Sequence, residues 1–177
     1  WSRYSIVGLS SRERFVVSGK QISRYNEVQL VERYEVDDPL AEVERLHEST
    51  YSAPLDSLPV FHGGWVGYFS YDTVRYVESK LAHTANRDTL NTPDILLMLA
   101  EEVVVFDNLR GTLTLIVSAN TSREDALEQS YRRLSELEAY LSEPMPSLTR
   151  FELGPTDTSN IESRVTFETD QETFESW

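Results

Sequence analysis

Residues 95–106 constrain the fold more than any other part of this 177-residue chain. Ile95-Leu96-Leu97-Met98-Leu99 and Val103-Val104-Val105-Phe106 make up its most apolar stretch, broken by Glu101 and Glu102. Continuous aliphatic and β-branched residues, without polar alternation, describe a central strand covered on both faces. Asp107-Asn108-Leu109-Arg110-Gly111 then supplies a turn, and Thr112 to Val117 returns as a strand. The sequence therefore predicts a hairpin here.

The first third reads as an antiparallel meander. Residues 3–9 and 14–18 have strand character, the second run ending at the turn-like Gly19-Lys20. Between 28 and 36, Val28, Leu30, Tyr34 and Val36 share one face while Gln29, Arg33 and Glu35 oppose them, the period of a half-buried strand. Asp37-Asp38-Pro39 opens a helix with an acidic N-cap and a proline in the first turn, where its missing N–H costs nothing. Leu40, Val43 and Leu46 form the stripe of that helix, which fades near Ser49. A loop holding Pro54 and Pro59 leads to a strand at 64–70. Gly67 inside that strand marks a bulge or a close backbone approach. After the hairpin, Thr121-Ser122-Arg123-Glu124 has the pattern of a capping box for a helix over 123–142. Leu127, Tyr131, Leu134, Leu137 and Leu141 give it one apolar stripe, expected to pack on the domain's own sheet. From Pro144 to residue 160 the composition turns to Gly, Pro, Ser, Thr and Asp, a linker or exposed loop. A short strand follows at 161–167, and Thr169-Asp170-Gln171-Glu172 caps one more helix. Both chain ends look cut, Trp1 before a strand and Trp177 within a helix just begun.

The formal net charge of −14 argues against nucleic acid, because binding phosphates requires clustered Lys and Arg. It equally disfavours an anionic membrane surface, and no apolar run approaches the ~20 residues that span a bilayer. Without cysteine the chain has no disulfide, thiolate metal site or cysteine nucleophile. With no visible signal peptide, a cytoplasmic location is the expectation.

Catalytic groups are hard to find. His47, His62 and His83 are scattered over a helix and two loops, with no metal-binding pair at helical spacing. Gly63-Gly64-Trp65-Val66-Gly67 lacks the Lys-Ser/Thr of a phosphate loop. Acidic pairs such as Asp37-Asp38 and Glu101-Glu102 read as solvated edges and caps. Asp72 is placed to cap a helical turn and to pair with Arg75 on it. Residues alone thus lead to an acidic α+β domain with no catalytic, cofactor-binding or metal-binding residue assigned.

Several segments, in order, are similar to the N-terminal region of bacterial anthranilate synthase large subunits. They are Arg3-Tyr4-Ser5-Ile6-Val7-Gly8, Asp37-Asp38-Pro39-Leu40, the stretch from Gly63 to Tyr76 with Glu78, Thr92-Pro93-Asp94-Ile95, and Glu101 through Asn108. Ser159-Asn160 and Phe167 extend the resemblance toward the chain end. It implies an α+β fold, a largely antiparallel sheet packed with helices as one part of a layered α/β sandwich. It implies residues 1–142 as the N-terminal domain, 143–160 as a linker, and 161–177 as the start of a chorismate-binding domain. Chorismate and Mg²⁺ belong to that C-terminal domain, so no catalytic residue carries over to a position here. A glutamine amidotransferase subunit is the implied partner and source of ammonia. L-Tryptophan is the implied feedback inhibitor, bound between the two domains near Arg3, Tyr4 and Ser5. The alternatives are the related aminodeoxychorismate synthase of folate synthesis and a free-standing interaction domain that recruits a partner through the Leu127–Leu141 helix.

Overall fold

In the computed structural model, which describes residues 2–50, 56–81, 90–144 and 169–176, the apolar segment serves two sheets in succession. Strand β6 (Ile95–Ala100) is interior to a five-stranded antiparallel sheet, and β7 (Glu102–Asp107) is the middle strand of a three-stranded one. Only Glu101 separates them. The larger sheet runs β4 (Gln29–Glu35), β3 (Gln21–Asn26), β2 (Glu13–Ser18), β6, β5 (Gly64–Phe69). The smaller runs β1 (Tyr4–Gly8), β7, β8 (Thr112–Val117). All pairings are antiparallel, and with four α-helices and two 3-10 turns among the described residues the architecture is α+β, as expected.

Two corrections concern the first third. Strand β1 leaves the meander and pairs with β7, Tyr4 opposite Asp107 through Gly8 opposite Val103. The meander is instead β2-β3-β4, with β3 formed by Gln21-Ile22-Ser23-Arg24-Tyr25-Asn26, residues too polar to announce a strand. Ile22 is nevertheless fully buried, because cross-strand pairing with Val17 and Tyr34 sets its environment rather than its sequence neighbours.

Helix α1 (Pro39–Ser49) covers one face of the larger sheet. Asp38 caps it, its Oδ1 accepting from the Leu40 and Ala41 amides at 3.1 Å each. At the other end the Thr50 hydroxyl donates to the Leu46 carbonyl and accepts from the Trp65 indole at 2.9 Å, tying the helix to β5. Leu46 joins Phe15, Val17, Ile22, Ile95 and Leu97 in the main core, with Leu40, Val43 and Trp65 packed around it. A second cluster, Val103, Val105 and Ile116 with Tyr4, Leu58 and Phe61, lies on the smaller sheet.

Helix α3 (Ala126–Ser142) begins three residues later than the sequence pattern suggests. Its entry is closed by Asn120, whose side-chain oxygen accepts from the Ser122 amide and whose carbonyl accepts from Arg123, in place of a capping box. Its apolar stripe is divided: Leu127 and Tyr131 are 63% and 64% exposed, whereas Leu134 and Leu137 are half-buried where the helix packs on β8 of the domain's own sheet, as expected. The inward face carries Ala126, buried, and Arg133, which reaches β7. A charged tether from Arg133 to β7 joins this packing in holding the helix. The remaining helices are α2 (Val74–Val77), after a 3-10 turn at Tyr71–Thr73, and α4 (Gln171–Glu175), capped by Asp170 through the Thr173 amide. The chain divides into compact units, Trp1–Ser142 and Glu143–Trp177. Of the linker read at 143–160, residues 145–160 lie outside the described residues, as does the strand read at 161–167. Among those described, no helix is long and apolar enough to cross a membrane.

The close approach foreseen at Gly67 is present. A Cβ there would sit 1.8 Å from the Leu96 carbonyl oxygen, an atom of the paired strand that cannot move aside. Gly8, in contrast, faces open space. Gly67→Ala is expected to abolish soluble, cooperatively folded protein, whereas Gly8→Ala leaves the thermal midpoint within a few degrees. Melting curves of the two variants check this, and a well-folded Gly67→Ala protein would contradict the strand register.

Candidate functional site

The segments that carry the family resemblance converge on two polar corners. At the first, Arg3 meets the end of β7. Its Nε and Nη2 donate to the Asp107 carboxylate at 3.2 and 2.7 Å, and its guanidinium lies 4.8 Å over the Tyr4 ring. Asn108 donates through Nδ2 to the Ser5 hydroxyl at 3.0 Å and to the Ser2 carbonyl at 3.3 Å. The Asp107 carboxylate also accepts from the Leu109 and Arg110 amides, closing the hairpin turn that Gly111 completes at φ +66°. Arg3, Tyr4 and Ser5 thus hold β1 on the hairpin.

Hydrogen bonding from Arg3, helped by the two turn amides, outweighs burial and holds the Asp107 carboxyl at about 2, below its ordinary 3.8.

The second corner is organised by Asp94. Its carboxylate accepts from the Gly19 amide and the Tyr76 hydroxyl, both at 2.7 Å. Its backbone amide donates to Val17 and its carbonyl accepts from Ser70. The Tyr68 hydroxyl donates to the neighbouring Pro93 carbonyl. Burial, reinforced by Asp94, raises the Tyr76 hydroxyl well above the usual tyrosine range, so it stays a protonated donor. One aspartate therefore joins the turn after β2, the end of β5 and the start of β6. In the sequence, the only signal for this role of Asp94 is its place directly after Thr92-Pro93 and before an apolar strand. Asp72 does pair with Arg75, Oδ1 to Nε at 2.8 Å, but it lies inside the 3-10 turn and caps nothing.

Glu101 and Glu102 differ more than their adjacency suggests. Glu102 accepts from Arg133 on both oxygens, at 2.8 and 3.0 Å, a fork that anchors α3. Glu101 carries no such partner, and burial followed by the nearby Glu13 raises its carboxyl above the ordinary value. Both line a polar cleft of about 210 Å³ with Arg12, Arg123, Arg132 and Asn120. Its charges largely offset one another.

His47 sits on α1 and His62 in the loop before β5, its Nδ1 3.2 Å from the Pro59 carbonyl; His83 lies outside the described residues. No three acidic or histidine side chains gather to hold a metal ion among the described residues, so these do not fit a Mg²⁺ site.

The sequence profile of the chorismate binding enzyme family matches residues 4–177, and the chain belongs to that family. Within it, the similarity runs to anthranilate synthase component 1. The protein of that name from Pseudomonas putida is 41% identical over 94% of this chain and 34% of its own length. Its counterpart from Pseudomonas aeruginosa is 47% identical over 82% of this chain and 30% of its own. In fold, the chain resembles the crystal structure of anthranilate synthase component I from Streptococcus pneumoniae TIGR4. The TM-score is 0.62 at 21% identity, covering 85% of this chain and 32% of that one. The chain spans about a third of the length of the curated relatives it matches.

A depressed carboxyl contributes stability above its unfolded value, and that contribution disappears as pH falls through the folded value. Asp107 should therefore stabilise the fold fully above about pH 4, and its contribution should be lost on acidification toward about 2. Asp107→Asn is expected to lower the thermal midpoint at pH 7 and to flatten its decline between pH 4 and 2. Melts across that range check this; an unchanged slope would remove the Arg3–Asp107 pair as its cause.

Proposed function

We propose that this chain is the non-catalytic, structural and regulatory region of an anthranilate synthase large component. The observation that carries the reading is the similarity to component 1 proteins over 94% of the chain at a third of their length. The site geometry supports it. The family-like residues Arg3, Asp94, Tyr76 and Asp107 spend their hydrogen bonds on one another and on backbone. None is left with the geometry of a general acid, base or nucleophile. The quoted relatives are anthranilate synthases, which favours this reading over a folate-pathway synthase.

On this reading the intact cytoplasmic enzyme adds ammonia to the ring of chorismate and expels pyruvate, giving anthranilate for tryptophan synthesis. A glutamine amidotransferase subunit delivers the ammonia. Mg²⁺, a Lewis acid that offsets negative charge on the substrate, is held by carboxylates beyond Trp177. Residues 1–142 form the N-terminal domain, 143–160 the linker and 161–177 the entry to the chorismate-binding domain. L-Tryptophan binds the intact enzyme near Arg3, Tyr4 and Ser5. Arg3 acts there by fixing strand β1, since its guanidinium is engaged with Asp107, while the exposed Ser5 hydroxyl retains a proton to donate.

Anthranilate fluorescence from chorismate, ammonia and Mg²⁺ tests the reading. The chain alone is expected to be silent and to give activity when mixed with the separately expressed remainder; activity from the chain alone would overturn it. Ser5→Ala in the intact enzyme is expected to raise the half-inhibitory tryptophan concentration severalfold. Unchanged inhibition would place the effector elsewhere.

A further inference from the structure

Five of the chain's fourteen arginines, Arg12, Arg14, Arg123, Arg132 and Arg133, line one groove of a protein whose net charge is −14. The polar cleft of about 210 Å³ adjoins a second hollow of about 450 Å³, and Ser10, Arg12, Glu102 and Arg133 line both. The Leu9 amide donates to the Glu102 carbonyl at 3.0 Å, so the groove begins where β1 ends, at the opposite end of that strand from Arg3. Helix α3 contributes Ser130 and Arg132 to the cleft.

The charges here nearly balance by number but not by pairing. Arg133 is engaged by Glu102 and Glu136, Arg123 by Asp125 at 3.3 Å, and Arg14 by the Glu27 carbonyl and the Tyr25 ring. Among the described residues, neither Arg12 nor Arg132 makes a hydrogen bond or ion pair through its guanidinium. Glu101 lies in the same cleft, but burial, then Glu13, raises its carboxyl, which disposes it to take a proton when an anion arrives. On a chain with 30 acidic residues against 16 basic ones, two whole guanidinium forks at one cleft are thus left for an anion from outside.

We infer that this groove binds a small phosphate monoester, with its phosphate held between Arg12 and Arg132. One guanidinium fork satisfies both oxygens of a carboxylate. A phosphate dianion has a third terminal oxygen, and so makes use of two forks and a hydroxyl, which Ser10 and Ser130 supply. The larger hollow, bordered by Ser11 and Val28, gives room for a short organic group beyond the phosphate. The inference does not depend on the role proposed for this chain in a larger enzyme.

Amide NMR titrations of the chain with glycerol phosphate, inorganic phosphate and succinate test it. Glycerol phosphate should bind saturably, shift the amides of Ser10–Arg12, Ser118–Asn120 and residues 129–133, and bind severalfold more tightly than either other probe. Arg12→Gln and Arg132→Gln should each weaken it by about 10-fold or more, the loss of one charge-assisted contact. Both arginines are exposed and on different elements, so the thermal midpoints should stay within a few degrees. Arg45→Gln, on α1, should leave the affinity within about twofold, since surface charge away from the site adds little. In the full-length protein, glycerol phosphate should raise the thermal midpoint, and Arg132→Gln should remove that rise. Unchanged affinity in either cleft variant, succinate or inorganic phosphate binding as tightly as the ester, or shifts spread over arginines outside the groove would each overturn the proposal. So would a full-length protein that the ester does not stabilise, because its groove would then be closed to ligand.

Discussion

A single continuous segment, β6 followed directly by β7, holds both sheets. Each strand is flanked on both sides, β6 by β2 and β5, β7 by β1 and β8. The two sheets share no other chain crossing so short, with Glu101 alone between them. Several other elements of Trp1–Ser142 are tied to this segment. Helix α1 covers it through Leu46, α3 is tethered to its Glu102 by Arg133, and β1 is clamped to its end at Asp107. Its first residues are fixed in turn by Asp94, immediately before β6.

In this arrangement the family-like residues hold the junctions of the chain together. Arg3, Tyr76, Asp94 and Asp107 are polar residues in chain stretches that lie far apart in sequence. Each satisfies a group where the chain enters or leaves a sheet: a turn amide at Gly19, a hairpin at Leu109 and Arg110, a strand end at Ser70. Buried or half-buried polar groups at such junctions need partners, and a directional hydrogen bond fixes geometry more sharply than apolar packing does.

Much of the fold was legible in the sequence. Local signals that depend on nearby residues worked: the Asp38 cap, the hairpin turn closed by Asp107, and the close approach at Gly67. The misses share a cause. Strand β3 is defined by neighbours on either side, and β1 joins a strand nearly a hundred residues away, so neither pairing is written in local periodicity. The Glu102–Arg133 fork that anchors α3 likewise joins residues 31 apart in sequence, which no local pattern announces. For the candidate site, the sequence pointed to Arg3, Tyr4 and Ser5, and the structure shows what they touch; Asp94 as a hub emerges only when Gly19, Ser70 and Tyr76 are brought together in space.

The account stands on the segment from Ile95 to Asp107 being the shared spine of both sheets. Native-state hydrogen exchange, read amide by amide, tests this most directly. The account predicts that the hydrogen-bonded amides of β6 and β7 are the slowest in the chain and exchange together, through global unfolding. Exchange of β7 at a markedly lower free energy than β6, with the two sheets opening independently, would contradict it.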